Sequence, residues 1–177
     1  DQQATNPSRN GAGNRSQMLC SLLGELRFHT YEAEVSLAIM RYASEVATRG
    51  ILFVVKDFEL QGRGQFGLGS NALDGTADRF VRGLRIPLDV DSLFSRVVRT
   101  GLPFVGPIPG DYWNREILGK IGSINNDLQL FAFPLGSNDR TIFVIYGDNY
   151  PGGWDLTGIS ELEALVSQAS LVLEKIS

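Results

Sequence analysis

The residues with the right type for catalysis are few: one cysteine, Cys20, one histidine, His29, and a glycine spacing, Gly62, Gly64 and Gly67, that elsewhere cradles a pyrophosphate. A dinucleotide loop needs a strand before the glycines and a helix straight after them, so that amides at the helix start face the phosphates. Here a polar loop follows, and glycines inside a strand pattern mark a bulge or a close backbone approach instead. His29 has no second imidazole or nearby thiolate to share a metal, and a serine-type triad would have to be assembled around it. It reads as a helix-end or interface residue. Cys20 sits beside Leu19 and Leu22 and reads as a small buried hydrophobe. No nucleophile, base and orienting group come together, so the expectation is no catalytic residue, no metal site and no cofactor.

Binding chemistry is better represented. Tyr112, Trp113 and Phe104 in the middle of the chain, and Phe131, Phe133 and Tyr146 further on, put aromatic surface on two segments expected to face each other. With Phe66 and Arg85 they make a candidate pocket for an apolar or planar small molecule, against the competing reading of plain core. Arg82 and Arg85 have the chemistry to anchor an anion, against solvated surface. Asp148 and Asn149 read as a strand cap and turn.

These side chains need a ribbon to hold them. Leu128 to Asp148 is two apolar runs around Gly136, Ser137, Asn138 and Asp139, which predicts a β-hairpin over 128–149. In the second run Thr141, Phe143 and Ile145 alternate with Ile142, Val144 and Tyr146, so both faces are apolar and both need cover. One cover is helical. Leu19, Leu22, Leu23 and Leu26, then Val35, Ile39, Tyr42 and Val46, predict N-terminal helices over 16–48, with Thr30 as a cap between them. Leu162, Leu165, Val166, Ala169, Val172, Leu173 and Ile176 predict a closing helix over 156–176, opening at a Ser160–Glu163 capping box or a turn earlier. Residues 49–69 hold the first two strands: Ile51 to Val55 as a central strand, and the alternating Phe58 to Leu68 nearer an edge.

The other cover is an insert, 70–127, with only short elements. Arg85 to Leu88 reads as a brief strand, and Asp91 as the cap of a short helix that Gly101 ends. Pro103 to Val105 reads as another strand, and Asp111 to Lys120 as one further helix. Stretches of this kind are commonly functional covers. Residues 1–15 have almost nothing to bury and read as a disordered linker. The architecture expected is α+β, a central antiparallel sheet with helices on one face and the insert over the other.

A net charge of -4, from 16 basic and 20 acidic residues, gives no electrostatic footprint for nucleic acid. A single cysteine forbids an internal disulfide and fits a reducing, cytoplasmic compartment. No apolar run approaches the roughly 20 residues that span a bilayer, so no membrane partner is expected.

Four stretches taken together resemble a GAF domain: the helix leading into ILFVV, IPLDVDSLFSRVVRTGLPFV, the hairpin FAFPLGSNDRTIFVIYGDN, and the closing helix. The family's Thr-Gly and proline after a short helix match Thr100, Gly101 and Pro103. Its Pro-Leu pair matches Pro134 and Leu135, its Tyr-x-Asp-Asn matches Tyr146, Asp148 and Asn149, and its closing pattern matches Leu162, Leu165 and Gln168. More narrowly, RYASEVATRGILFVVK and GRGQFGLG are similar to C-terminal regions of bacterial response-regulator-like proteins that carry a PATAN domain upstream. The resemblance implies a six-stranded antiparallel sheet of PAS- and profilin-like architecture and a sensory or regulatory role in signal transduction. It implies a small molecule bound between sheet and insert or, alternatively, a protein-interaction module without ligand. The Asn-Lys-x-x-x-Phe-x-x-x-Asp-Glu motif of cyclic-nucleotide-binding members is missing. The pocket cysteines of bilin-bearing and methionine-sulfoxide-reducing members are missing too. An upstream signalling domain and a homodimer are the expected partners, the dimer seam being Leu19, Leu22, Leu23 and Leu26, as against burial of that face within its own domain.

Overall fold

The computed structural model describes residues 7–26, 28, 31–69, 75–137, 139–152 and 156–176. The elements run α1 (Pro7–Leu26), α2 (Glu32–Val46), β1 (Arg49–Lys56), β2 (Glu59–Phe66), α3 (Thr76–Gly83), β3 (Arg85–Pro87), α4 (Leu93–Thr100), β4 (Phe104–Pro107), α5 (Tyr112–Ile121), β5 (Gln129–Ser137), β6 (Arg140–Asp148) and α6 (Ile159–Ile176). Among the described residues the strands form one six-stranded sheet in the order β3-β2-β1-β6-β5-β4, with every pairing antiparallel. The α+β expectation holds, and the predicted hairpin is β5–β6.

Strand alternation divides the side chains between two cores. Leu52, Phe131, Phe133, Leu135 and Ile145 face a layer of α1, α2 and α6, where Leu22, Ile39, Tyr42, Leu165 and Ala169 meet them. Ile51, Phe53, Leu130, Ala132, Val144 and Tyr146 face the insert, where Val81, Phe94, Val97, Ile117 and Leu118 meet them. Each large apolar side chain so buried contributes roughly 1.5–3 kcal/mol. The ribbon is therefore covered on both faces as its pattern requires.

The insert is more regular than expected. Besides the anticipated β3, α4, β4 and α5, it contains α3, which packs only Val81 fully into the core. Several boundaries also differ. The first helix starts at Pro7, inside the segment read as linker. The second is preceded by Tyr31, which makes no side-chain cap, and Thr30 lies outside the described residues. Ser92, not Asp91, caps α4 through a reciprocal box with Ser95, and Gly101 ends it in the left-handed conformation. The closing helix begins at Ile159, so Ser160 lies within it and the expected capping box is not its start.

The glycine-rich strand shows why the phosphate-loop spacing has another cause. Leu52 pairs with Gly64 but Phe53 with Gly62, leaving Arg63 as the extra residue of a bulge. A Cβ at Gly62 would overlap the Val81 carbonyl, so α3 approaches β2 as closely as bare backbone allows. The bulge also changes which way the strand's later side chains point. Leu60 belongs to the insert-side core, whereas Phe66 packs on the helix side.

Pro134 is accommodated by a strand that ends early. β4 pairs only with Gln129 to Ala132 of β5, so at Pro134 the strand has a neighbour on one side alone. A missing backbone donor is tolerated at such an edge.

Candidate functional site

The space between sheet and insert is where a ligand was expected, and it is filled by the chain itself. The Phe53 and Phe94 rings meet edge-on at 5.9 Å, and Phe94 lies 5.9 Å from Tyr146. All three side chains are buried. Aromatic contacts of this kind contribute about 0.5–1.5 kcal/mol beyond their area.

The expected pocket residues do not converge there. Tyr146 does, and Phe104 is half-buried at the margin of the same core. Phe131 and Phe133 point the other way, stacked on each other at 5.1 Å beneath the helices. Phe131 lies over Gly147 and Phe66 over Gly50, a paired couple of glycines whose missing side chains make room for the two rings. Tyr112 and Trp113 pack edge-on against each other but are 67% and 44% exposed. Arg85 is occupied with the carbonyls of Arg82 and Leu84 and lies 3.5 Å from Glu59. The leucine face of α1 is likewise spoken for: Leu22 and Leu26 are buried in their own domain, with Leu19 and Leu23 partly so. Burial thus replaces the dimer seam for Leu22 and Leu26. Cys20 is exposed on α1 rather than buried, and His29 lies outside the described residues.

What the sequence did not signal is a buried ionic cluster at the end of the sheet. Arg49 and Asp148 are direct partners across β1 and β6. Arg49 Nε donates to Asp148 Oδ1 at 2.9 Å and Nη2 to Oδ2 at 2.8 Å, with the two residues 6% and 0% exposed. Nη2 also donates to the Ser123 carbonyl at 3.0 Å, and the guanidinium lies 4.1 Å over the Tyr150 ring. The Tyr146 hydroxyl donates to Asp148 Oδ2, and the Tyr150 N–H to Oδ1 at 3.0 Å. Burial, reinforced by the neighbouring carboxylate, pushes the Tyr146 phenol well above its ordinary value, with Arg49 opposing. The cluster ties the two middle strands to the loop after α5 and to the turn after β6.

A second polar latch holds the insert to itself. The fully buried Asn114 accepts from the Leu93 N–H at 2.7 Å and donates to Asp111, which caps α5. This joins the start of α4 to the start of α5. Asn149 completes the set, accepting from the Gln129 N–H at 2.8 Å. The Asp-Asn pair was read as a cap and turn, and Asn149 does that work, whereas Asp148 is the centre of the ionic cluster. Two apolar strands flanked by an arginine and an aspartate carry no mark of such a pair until the register is known.

No family model matches the sequence, and no curated protein matches it. Solved structures do. The GAF domain/HD domain protein from Geobacter sulfurreducens superposes with a TM-score of 0.60 at 18% identity, over 87% of this chain and 97% of that one. The chain has the GAF fold. The phycoerythrobilin-bound GAF domain from a cyanobacterial phytochrome gives a TM-score of 0.64 at 12% identity, over 93% and 97%. Free methionine-R-sulfoxide reductase from Neisseria meningitidis, in complex with its substrate, gives 0.63 at 16%, over 99% and 95%. The GAF fold thus accounts for the order of the sheet and for the helices on its one face. Among the described residues no His, Cys, Asp and Glu group could hold a metal ion, and no helix is long and apolar enough to cross a membrane.

Proposed function

We propose that this chain is a non-catalytic regulatory domain of GAF type whose interior is closed by its own side chains and which works through protein contacts. The observation that carries this reading is the Phe53–Phe94–Tyr146 cluster, fixed by the Tyr146 hydroxyl on Asp148, in the space a ligand would need. Two of the structural neighbours carry a bound molecule, a bilin in one and a substrate in the other; the filled interior favours a different use of the fold here. Output would travel through the relation of the insert to the layer of α1, α2 and α6, to which the expected upstream signalling domain connects. Whatever drives such a shift must bind its two arrangements unequally.

Native mass spectrometry of protein purified without added compounds tests this. The expected result is the mass of the bare chain, alone or in multiples. A co-purifying small molecule whose retention is lost in Phe94→Ala or Tyr146→Phe would return the interior to the ligand reading.

A further inference from the structure

The buried Arg49–Asp148 pair stands where two helices of the outer layer are rooted in the sheet. α2 ends at Val46 and β1 begins at Arg49, while β6 ends at Asp148 and its turn leads on to α6. The Ala47 N–H closes α2 on the Ala43 carbonyl, and the next amide, Thr48 N–H, bonds the Asp148 carbonyl, each at 2.9 Å. The insert reaches the same guanidinium from the end of α5. Arg49 Nη2 donates to the Ser123 carbonyl at 3.0 Å, and a Cβ at Gly122 would lie 2.8 Å from Nη1, so bare backbone packs against the arginine there. The Tyr150 ring, 4.1 Å from the guanidinium carbon, confines it further.

We propose that Arg49 is a positioning residue that conveys the placement of the end of α5 to the roots of α2 and α6. Its contacts are unequal in strength, and that gives it two settings. The paired, charge-assisted bonds to Asp148 are the stronger, and the single bond to a neutral carbonyl is the weaker. A partner that draws the end of α5 away therefore breaks the Ser123 bond first and lets the guanidinium re-seat with Asp148 still in hand. The group that moves belongs to the strand following α2 and is bonded to the strand end from which α6 departs. Such a partner must bind the engaged and released settings unequally. The inference rests on the reading of the domain as one that works through protein contacts, and it names the residue through which a contact on the insert would act.

Gly122→Ala tests it by pressing on the arginine from the insert side. The backbone there is extended, at φ 171°, which any residue adopts, so the added methyl acts on Nη1. Gly119→Ala is the control, in the same helix but with open space around the added carbon. The readouts are amide hydrogen exchange at Thr48 and at Leu162, whose N–H bonds the Gly158 carbonyl in the first turn of α6. In Gly122→Ala both should quicken by about fivefold or more, the lower end of couplings between sites, beyond any change at Ala169 in the middle of α6, which reports global opening. Gly119→Ala should leave both unchanged. The effect at Leu162 should vanish in the background Arg49→Met, Asp148→Leu, and in Arg49→Lys, whose ammonium has no second arm to meet Gly122. Unchanged exchange at Leu162, equal quickening at Ala169, an equal effect from Gly119→Ala, or persistence in either background would each overturn the proposal. Such a result would leave the closed interior standing, and a co-purifying ligand would remove that reading whatever the exchange shows.

Discussion

The two faces of the sheet are covered by different physics. On the helix side, α1, α2 and α6 lay long amphipathic faces on Phe131, Phe133 and Ile145, and the core there is apolar almost throughout. On the insert side the covering elements are short, and they are fixed by buried polar bonds: Arg49 to Asp148 and Ser123, Asn114 to Leu93 and Asp111, and Ser92 to Ser95. A helix of many turns is held in place by area alone. A segment of eight or ten residues buries too little to fix its own position, and directional bonds supply what area cannot.

The sharpest test of this contrast is Asp148→Ala, which leaves Arg49 buried and unpaired and should destabilise by about 3–5 kcal/mol in denaturant titration. Replacing both partners, Arg49→Met with Asp148→Leu, should be less damaging than Asp148→Ala alone; the opposite ranking would refute the account of the pair as a specifying rather than a stabilising device. Phe94→Ala and Leu165→Ala should lose comparable amounts, about 3–5 and 2–5 kcal/mol. Hydrogen exchange separates them: the first should speed exchange in α3, α4 and α5, the second in α1 and α2. If both variants loosen the whole domain equally, the two layers do not open independently.

Asn114→Ala strands the Leu93 N–H and should destabilise by about 1–3 kcal/mol, measured by the same titrations. Tyr146 supplies a pH signature. Its phenol keeps its proton longer in the folded state, so stability is whole below the unfolded value of about 10 and falls as pH rises beyond it. Tyr146→Phe should flatten that alkaline decline, and an unchanged profile would remove Tyr146 as its source. The smallest effect belongs to Tyr112→Ala, within about 0.5 kcal/mol of the parent, because the residue is 67% exposed.

The same contrast explains what was legible in the sequence. The helix faces announce themselves by spacings of three and four, a local signal, and the hairpin by its apolar runs and polar turn. In α3 the apolar spacing of Ala77, Phe80 and Val81 covers one turn only, and Phe80 faces outward while Val81 is buried, so the pattern does not mark a buried face. Phe131 and Phe133 could not be assigned to a side because both faces of the hairpin are apolar, and a pattern without a wet face leaves orientation open. Their partners across β6, Gly147 and Ile145, settle it only once the register is known. The Arg49–Asp148 bond spans 99 residues of chain, a distance over which no local pattern reports.

The extra residue at Arg63 lets two positions of β2 an even number of residues apart serve opposite covers, Leu60 anchoring the insert and Phe66 the helices. Drawing Arg63 into the ladder as a paired residue would restore simple alternation and swing Phe66 out from beneath the helices, away from Gly50. The irregularity is thus a splice that fastens both halves of the domain to a single piece of backbone, and its length is as much a part of the fold's specification as any side chain.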